Sequence, residues 1–280
     1  MEKIDLHIHS NYSDGSFSID DLLKNIRVAG LTTFALTDHD TIEGCIEVFD
    51  KITSDVKFIP SVELTCLAGD IKCHILGYNC NPNDEKLCAL IERGKVLRRK
   101  KLETRIEFLK ERWGIELTKS ELDWLYSRRS VVKTHLANIL VKRGLSSDNV
   151  SAMKKYLDGC KTGNTRFDGE EAILAIKSAG GIPVWAHPLG GEGEEHLSPI
   201  EFMPKLSKMI EYGIEGLESF YSRYTNEEAL FLEDCAQKNN LFVTAGSDYH
   251  GTNKNGINLG QLSSDTTMPQ KEQITILSVI

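Results

Sequence analysis

The chain has 280 residues, of which 40% are hydrophobic and 26% charged, enough apolar surface for one large domain or a domain with a substantial insertion. This composition excludes an extended disordered chain, and no stretch approaches the ~20 apolar residues that a membrane span requires. The first residues, MEKIDLHIHS, lack the apolar core of a secretory signal, so we expect a cytoplasmic protein. The seven cysteines include no C-x-x-C pair, which argues against a disulfide framework or a cysteine-based zinc site.

The first eighty residues alternate short β-rich runs with amphipathic stretches, the pattern of an α/β fold built on parallel strands. A helix over 18–30 has Ser18 as the expected N-cap and Gly30 as the expected stop. A second helix is predicted over 41–52, and strands are predicted at 3–8, 33–38, 56–66 and 70–79.

From residue 83 the pattern becomes helical, with apolar residues at helical spacing over 82–113 and shorter helices near 119–129 and 133–144. We interpret 83–166 as an all-helical insertion. It carries 20 Lys and Arg against 11 Asp and Glu, whereas the rest of the chain carries 13 against 30. Long helices often carry solvated charge, but a basic excess of this size in an acidic protein favours contact with an anionic substrate.

The α/β alternation resumes after the insertion and continues towards the end of the chain. Helices are predicted at 169–181, 199–213 and 226–240, and strands at 182–188, 214–219 and 241–250. The sequence therefore predicts one α/β body, 1–82 with 167–280, interrupted by the helical segment 83–166.

Six of the eight histidines fall at or just past the C-terminal ends of predicted strands, where parallel α/β folds place their chemistry. His7 and His9 are two residues apart, so on a strand both imidazoles project from one face. Asp248 and His250 repeat this spacing near the end of the chain. A single such histidine would usually be a hydrogen-bonded core residue, but six of them together with carboxylates predict a metal site. His196 lies outside this pattern and receives no role.

The motifs that contain these residues resemble those of the PHP (polymerase and histidinol phosphatase) family, in particular its stand-alone nucleotide phosphoesterases. DLHIHS, TDHDT, VELT, CHIL, AHP and GSDYHG occur in order over essentially the whole chain. The resemblance implies a distorted (β/α)7 barrel with a helical insertion between the fourth and fifth strands.

The resemblance also implies a cluster of two or three divalent ions, with manganese expected first and iron or zinc as alternatives. One ion would be held by His7, His9, Glu63 and Asp248, a second by Glu63, His74 and His187, and a third by Asp14, His39 and His250. Glu63 would bridge the first two ions. Some PHP phosphatases have histidine in place of Asp14, a difference that would alter metal preference.

Such a cluster predicts phosphate ester hydrolysis, because a cationic centre attracts a phosphate and water activated between two metal ions needs no serine or cysteine nucleophile. Asp38 and Asp40 are candidates for orienting the imidazoles, although turn or N-cap duty is as good an interpretation of Asp40. The acid that protonates the leaving group stays open between a metal-bound water and one of these carboxylates.

The insertion supplies candidate substrate contacts. VVKTHL corresponds to a G-R-P-H-like element of the related enzymes and offers Lys133 and His135, unless these residues only begin a helix. Further candidates are Arg128, Arg129, Arg166 and Arg223. The aromatic residues Trp113, Trp124 and Tyr126 would suit base stacking, although tryptophan at helical spacing is more often a core residue.

The resemblance therefore implies a phosphatase acting on a nucleotide such as 3′-phospho-AMP, extending to short 5′-phosphorylated oligonucleotides. The expected partner is this small substrate, with no long duplex, membrane or protein partner. A histidinol-phosphate phosphatase is the alternative enzyme, and the long basic insertion argues against it. A non-catalytic PHP module is the alternative of another class, and the intact set of metal-ligating residues argues against that.

Overall fold

The computed structural model describes residues 2–191, 195–262 and 269–280. Its strands are β1 (Ile4–Ile8), β2 (Thr33–Leu36), β3 (Lys57–Ala68), β4 (Ile71–Tyr78), β5 (Phe167–Asp168), β6 (Ile182–Trp185), β7 (Gly216–Tyr221) and β8 (Phe242–Gly246). The longer helices are α1 (Ile19–Ala29), α2 (Glu43–Lys51), α3 (Glu85–Trp113), α4 (Lys119–Tyr126), α5 (Lys133–Lys142), α7 (Gly169–Ser178), α8 (Pro199–Glu211) and α9 (Asn226–Lys238). A short α6 (Asn149–Ala152) runs into a π-helical turn, Met153–Leu157.

The first helix illustrates how local sequence determines an element. The Ser18 hydroxyl caps α1 by accepting a hydrogen bond from the Asp21 backbone N–H, and Gly30 ends the helix at φ 72°. Ile19, Leu22 and Ile26 are spaced so that one face of α1 is buried in the core. The sequence predicted both ends of this helix correctly.

Seven strands form a nearly closed sheet in the order β1-β2-β3-β4-β6-β7-β8, and β5 pairs with β3 off this path. The gap between the first and last strands is bridged by backbone hydrogen bonds. The His9 N–H donates to the Tyr249 carbonyl (2.9 Å), and the Tyr249 N–H donates to the His7 carbonyl (3.2 Å). This barrel-like sheet with helices packed around it confirms the predicted distorted (β/α)7 fold.

The barrel is not uniformly parallel, which corrects one sequence expectation. β4 runs antiparallel to both β3 and β6 because a tight turn joins it to β3. His74 therefore lies in the interior of β4, opposite Thr65, rather than at the C-terminal end of a strand. Since β4 is reversed, its first half lies near the edge where the parallel strands end, and His74 still reaches the other histidines.

Between β4 and β5, the regular elements are all helical, as the sequence predicted, although α6 and the π-helical turn were missed. Most of this segment packs around its own small apolar cluster, which contains Leu102, Leu109, Leu136 and Leu140. The start of α3 packs instead against the main core through residues such as Leu87. The proposed division at 82/83 and 166/167 stays a prediction.

The helices and the cysteines bear on the class of protein. In the described parts of the chain, every helix is too short or too polar to cross a lipid bilayer. All seven cysteines lie in described residues and carry free thiols, five of them buried. Burial raises the pKa of the Cys45 thiol and of the Cys66 thiol, so these side chains behave as small core residues.

Candidate metal centre

The nine residues predicted as metal ligands converge at one end of the barrel. β1 and the loop after it provide His7, His9 and Asp14, and the segment after β2 provides His39. β3 and β4 provide Glu63 and His74, and the segments after β6 and β8 provide the other three. Each of the nine lies within 4.0 Å of at least one other member of the set. The set comprises His7, His9, Asp14, His39, Glu63, His74, His187, Asp248 and His250.

Glu63 is the centre of this arrangement. It is 1% exposed and sits in the middle of β3. Its Oε2 approaches three imidazoles and its Oε1 approaches two, at 2.9 to 3.3 Å from ring nitrogens of His7, His9, His39, His74 and His187. A carboxylate with both oxygens facing imidazole nitrogens has the geometry expected of a bridging ligand.

Two aspartates complete the cluster on the side of β1 and β8. Asp248 Oδ1 lies 3.3 Å from His9 Nε2 and 3.3 Å from His250 Nδ1. Asp14 Oδ1 lies 3.1 Å from His250 Nε2 and 3.8 Å from His9 Nδ1. His9 therefore stands between both aspartates and Glu63.

The backbone is strained where it presents these groups. Asp40, His187 and Asp248 adopt positive φ values of 50°, 30° and 58°, a region that non-glycine residues rarely occupy. Such outliers persist where the surrounding structure holds them, and they concentrate at functional sites. At these positions the strain accompanies the placement of a side chain at or beside the cluster.

The donor atoms fit divalent cations. Four buried atoms of the cluster have no hydrogen-bond partner among the described residues: Asp14 Oδ1, His39 Nδ1, Glu63 Oε2 and His74 Nδ1. Buried polar atoms are normally paired, so unpaired atoms that face one another indicate a position for an ion. Three sets of donor atoms lie within 4.8 Å of one another, namely His9, Asp14, His39 and His250; His7, His9 and Glu63; and His39, Glu63 and His74. The allocation of each residue to one of three ions stays a prediction, since His9 and His39 each belong to two of these sets.

The ionisation differs among the residues of the cluster. Burial would raise the pKa of the Glu63 carboxyl, but the charges of His39 and His74 hold it well below its usual range. Burial lowers the pKa of His74, and it lowers the pKa of His250 to about 4. Burial would also lower the pKa of His7 and of His9, but the neighbouring carboxylates raise the pKa of His7 well above its usual range and that of His9 to about 9. Anionic carboxylates and neutral imidazoles are the forms that coordinate metals, so a cation bound there would replace the protons on His7 and His9.

Glu218, a residue that the sequence analysis missed, supports two of the histidines from behind. It is fully buried in β7, and its carboxylate accepts hydrogen bonds from His7 Nδ1–H (2.8 Å) and from the His187 backbone N–H (2.8 Å). With Nδ1 as the donor, His7 presents the lone pair of Nε2 to Glu63 and Asp248. A buried acidic residue in the strand sequence IEGLES was the available signal.

Asp38 and Asp40 occupy the positions expected beside the cluster, but neither bonds an imidazole. Asp38 accepts hydrogen bonds from the Ser10 N–H (2.8 Å) and the Ser13 hydroxyl (2.5 Å), and Ser13 Oγ lies 3.4 Å from His9 Nδ1. Asp38 therefore reaches His9 only through Ser13.

Asp40 joins the barrel to the insertion. Its carboxylate accepts from the Thr65 N–H (2.7 Å) and from Arg98 Nε (2.6 Å) on α3. The N-cap position of α2 belongs to Ile42, so the expected N-cap duty of Asp40 was wrong and its turn duty was correct.

A cavity of about 360 Å³ opens over the cluster. Its lining combines the metal-ligating groups with basic residues, three of which come from α3 and were not predicted: Arg98, Lys101 and Arg105. Lys254, also missed, lines the same cavity and lies 2.5 Å from Asp248 Oδ2. The repeated basic residues in RRKKLETR were the sequence signal for the α3 group.

The four residues predicted to contact the substrate lie in different places. Lys133 lines the cavity and pairs with Asp158 at 2.8 Å. His135 begins a helix, since its Nδ1 accepts a hydrogen bond from the Val132 N–H and so caps the start of α5; its contact with a substrate stays a prediction.

Arg166 lines a neighbouring cavity that also contacts His74 and His187. Arg223 lines a different cavity, beside Asn255 and Gln261, and its contact with a substrate stays a prediction. The three aromatic candidates also lie outside the lining of the main cavity, where Trp124 packs against His135, Trp113 against Tyr156, and Tyr126 under Arg99.

Comparison with known proteins places this arrangement in a family. Residues 5–164 match the model of the PHP domain. A 5′-3′ exoribonuclease of Haemophilus influenzae is 30% identical over 89% of this chain and 90% of its own length. A 3′,5′-nucleoside bisphosphate phosphatase of Chromobacterium violaceum is 26% identical over 93% and 91%. The solved structure of an amidohydrolase from Chromobacterium violaceum superposes with a TM-score of 0.82 at 24% identity, covering 97% of this chain and 95% of that one. The chain belongs to the PHP domain family.

Proposed function

We propose that this protein is a metal-dependent phosphoesterase that removes a phosphate from nucleotides, with nucleoside 3′,5′-bisphosphates such as 3′-phospho-AMP as its substrate class and short 5′-phosphorylated oligonucleotides as an extension. The observation that carries the proposal is Glu63, whose two oxygens face five imidazoles beneath a cavity with a basic wall. The donor set favours manganese, with iron and zinc as alternatives. The free thiols favour a reducing cytoplasm.

The nine predicted ligand residues would hold the ions, and divalent cations bound there would supply Lewis-acid activation of water and of the phosphoryl oxygens. The chain's own residues have separate duties. Glu218 keeps His7 in the tautomer that a ligand requires, and Tyr221 fixes Asp248 by donating a hydrogen bond to Oδ2 (2.9 Å). Lys254 and Lys133 bring positive charge to the phosphate from two sides of the cavity.

The insertion supports a nucleotide rather than a smaller phosphate ester. α3, α5 and α6 contribute side chains to the cavity wall, including Lys101, Lys133 and Asn149. We propose that residues 83–166 act as a substrate lid that limits water access and holds the parts of the substrate that do not react. The relatives named for nucleoside bisphosphates and for RNA support the same substrate class.

Phosphate release by the purified protein tests the proposal. With manganese present, we expect turnover of 3′-phospho-AMP and of short 5′-phosphorylated RNA to exceed that of histidinol phosphate. His74→Gln removes an imidazole that faces Glu63 and should abolish most turnover. His196→Gln, which changes an exposed histidine paired with Glu228, is the matched control and should leave turnover unchanged. Preference for histidinol phosphate, or inactivity on all three substrates, would contradict the proposal.

A further inference from the structure

The basic residues of α3 form one stripe along the cavity. Arg98, Lys101 and Arg105 are separated by three and four residues, so they project from the same face of the helix. All three line the cavity that opens over the metal-ligating groups. The stripe is therefore a continuous basic wall beside the candidate metal centre.

The cations of this cavity differ in their partners. Arg98 binds Asp40, Lys133 binds Asp158, and Lys254 binds Asp248. Lys101 and Arg105 are only partly exposed, and neither forms an ion pair or a side-chain hydrogen bond with the described residues. Half-buried cations with no anionic partner are energetically unfavourable unless a ligand supplies the charge.

The electrostatic surroundings of Lys101 also favour the binding of an anion. Burial lowers its pKa to about 8, and the charges of Arg105, Arg98 and Arg166 lower it further, while Asp40 acts in the opposite direction. Burial also lowers the pKa of Arg105, to about 10. An anion placed between Lys101 and Arg105 would offset both the burial and the mutual repulsion of these cations.

The start of α5, which lines the same cavity, is suited to the same ligand. α5 begins at Lys133, and Lys133 and Thr134 of its first turn line the cavity. The first turn of a helix presents backbone N–H groups and the positive end of the helix dipole to an anion. The basic groups of α3 and the positive end of α5 thus line one cavity.

We propose that Lys101 and Arg105 form a subsite for a second phosphate group, the one that the reaction leaves in place, while the scissile phosphate lies at the histidine cluster. This inference rests on the proposed function and makes it more specific, because it assigns to Lys101 and Arg105 the selection of bisphosphates over monophosphates. Arg98 is a positioning residue, since it ties α3 to Asp40 and Thr65.

Binding without turnover tests the subsite independently of catalysis. Isothermal titration calorimetry in EDTA compares 3′-phospho-AMP with adenosine 3′-monophosphate, which lacks only the 5′-phosphate. We expect the wild-type protein to prefer the bisphosphate, and Lys101→Gln or Arg105→Gln to reduce that preference by about tenfold to hundredfold, the range of a charge-assisted hydrogen bond. Lys101→Arg should retain most of it, and Lys100→Gln, at an exposed position on α3, is the control that should retain all of it.

Kinetics with manganese then separate this inference from the proposed function. The subsite is supported if a variant lowers the ratio of kcat/KM for 3′-phospho-AMP to kcat/KM for adenosine 3′-monophosphate. This ratio should fall chiefly because KM for the bisphosphate rises. Equal or undetectable binding of both ligands by the wild-type protein overturns it, even if phosphatase activity is present. A bisphosphate preference in binding with no turnover on any substrate would uphold the subsite and refute the proposed hydrolysis. Circular dichroism melting confirms that each variant is folded.

Discussion

Replacing Glu218 tests how far the metal centre depends on a residue that does not face the ions. Its carboxylate accepts two hydrogen bonds of 2.8 Å, from His7 Nδ1–H and from the His187 backbone N–H, and it is completely buried. In Glu218→Gln the amide has the same shape but no charge, and it keeps one accepting oxygen where the carboxylate has two, so it can accept only one of these two hydrogen bonds. The variant therefore loses the negative charge beside His7 and one of the two hydrogen bonds that hold the His7 imidazole and the backbone of His187.

The size of the effect follows from these contacts. Carboxylates that orient metal-ligating histidines typically change metal affinity by about 10- to 100-fold when they are replaced. A hydrogen bond to a charged group contributes about 1.5 to 3 kcal/mol to stability, so the free energy of unfolding should also fall. Because His7 Nε2 still exists, saturating metal should restore much of kcat.

The assay is the manganese dependence of phosphate release from 3′-phospho-AMP, with metal content measured in parallel. We expect the half-saturating manganese concentration to rise by about 10- to 100-fold in Glu218→Gln. Glu215→Gln, which removes a partly exposed carboxylate paired with Lys177, is the control. An unchanged manganese requirement in Glu218→Gln would refute the argument that Glu218 prepares His7 for coordination.

Three further outcomes are expected. Gly246→Ala should lower stability by about 1–3 kcal/mol and impair metal binding, because the new Cβ would lie 2.2 Å from His7 Cβ; thermal melting and metal content measure both effects. The pKa of Lys101 is about 8 in the folded protein, against an ordinary value of 10.5. Between these two pH values the unfolded chain binds more protons than the folded protein, so the free energy of unfolding should rise with pH across that window. Urea unfolding should show this slope in the wild type and a smaller slope in Lys101→Gln. Removing metal with EDTA should abolish turnover and lower the melting temperature, and manganese should restore both, since a ligand that binds only the folded state stabilises it.

Local sequence patterns were sufficient to predict most of the secondary structure and the residues of the histidine cluster. Ser18 and Gly30 mark the ends of α1 through short-range chemistry that needs no tertiary context. His7 and His9 are brought together by strand periodicity, which also operates over a few residues. α6 and the π-helical turn escaped prediction because they are short and their pattern is weak.

Long-range packing decided the rest. The reversal of β4 moved His74 from the expected strand end to a strand interior, yet kept it near Glu63 at 2.9 Å. Arg223 follows β7 and lines a cavity other than the one over the metal-ligating residues, a placement that no local pattern encodes.

The sequence by itself determined the chemistry available to this protein: six histidines and three carboxylates at regular positions along an α/β chain, and a basic helical segment between two acidic parts. Only the tertiary structure decided which atoms meet, since Glu218 lies 211 residues from His7 and Arg98 lies 58 residues from Asp40. Spacing along the chain reports on contacts within one turn or one strand, whereas contacts across the barrel depend on how the whole core packs.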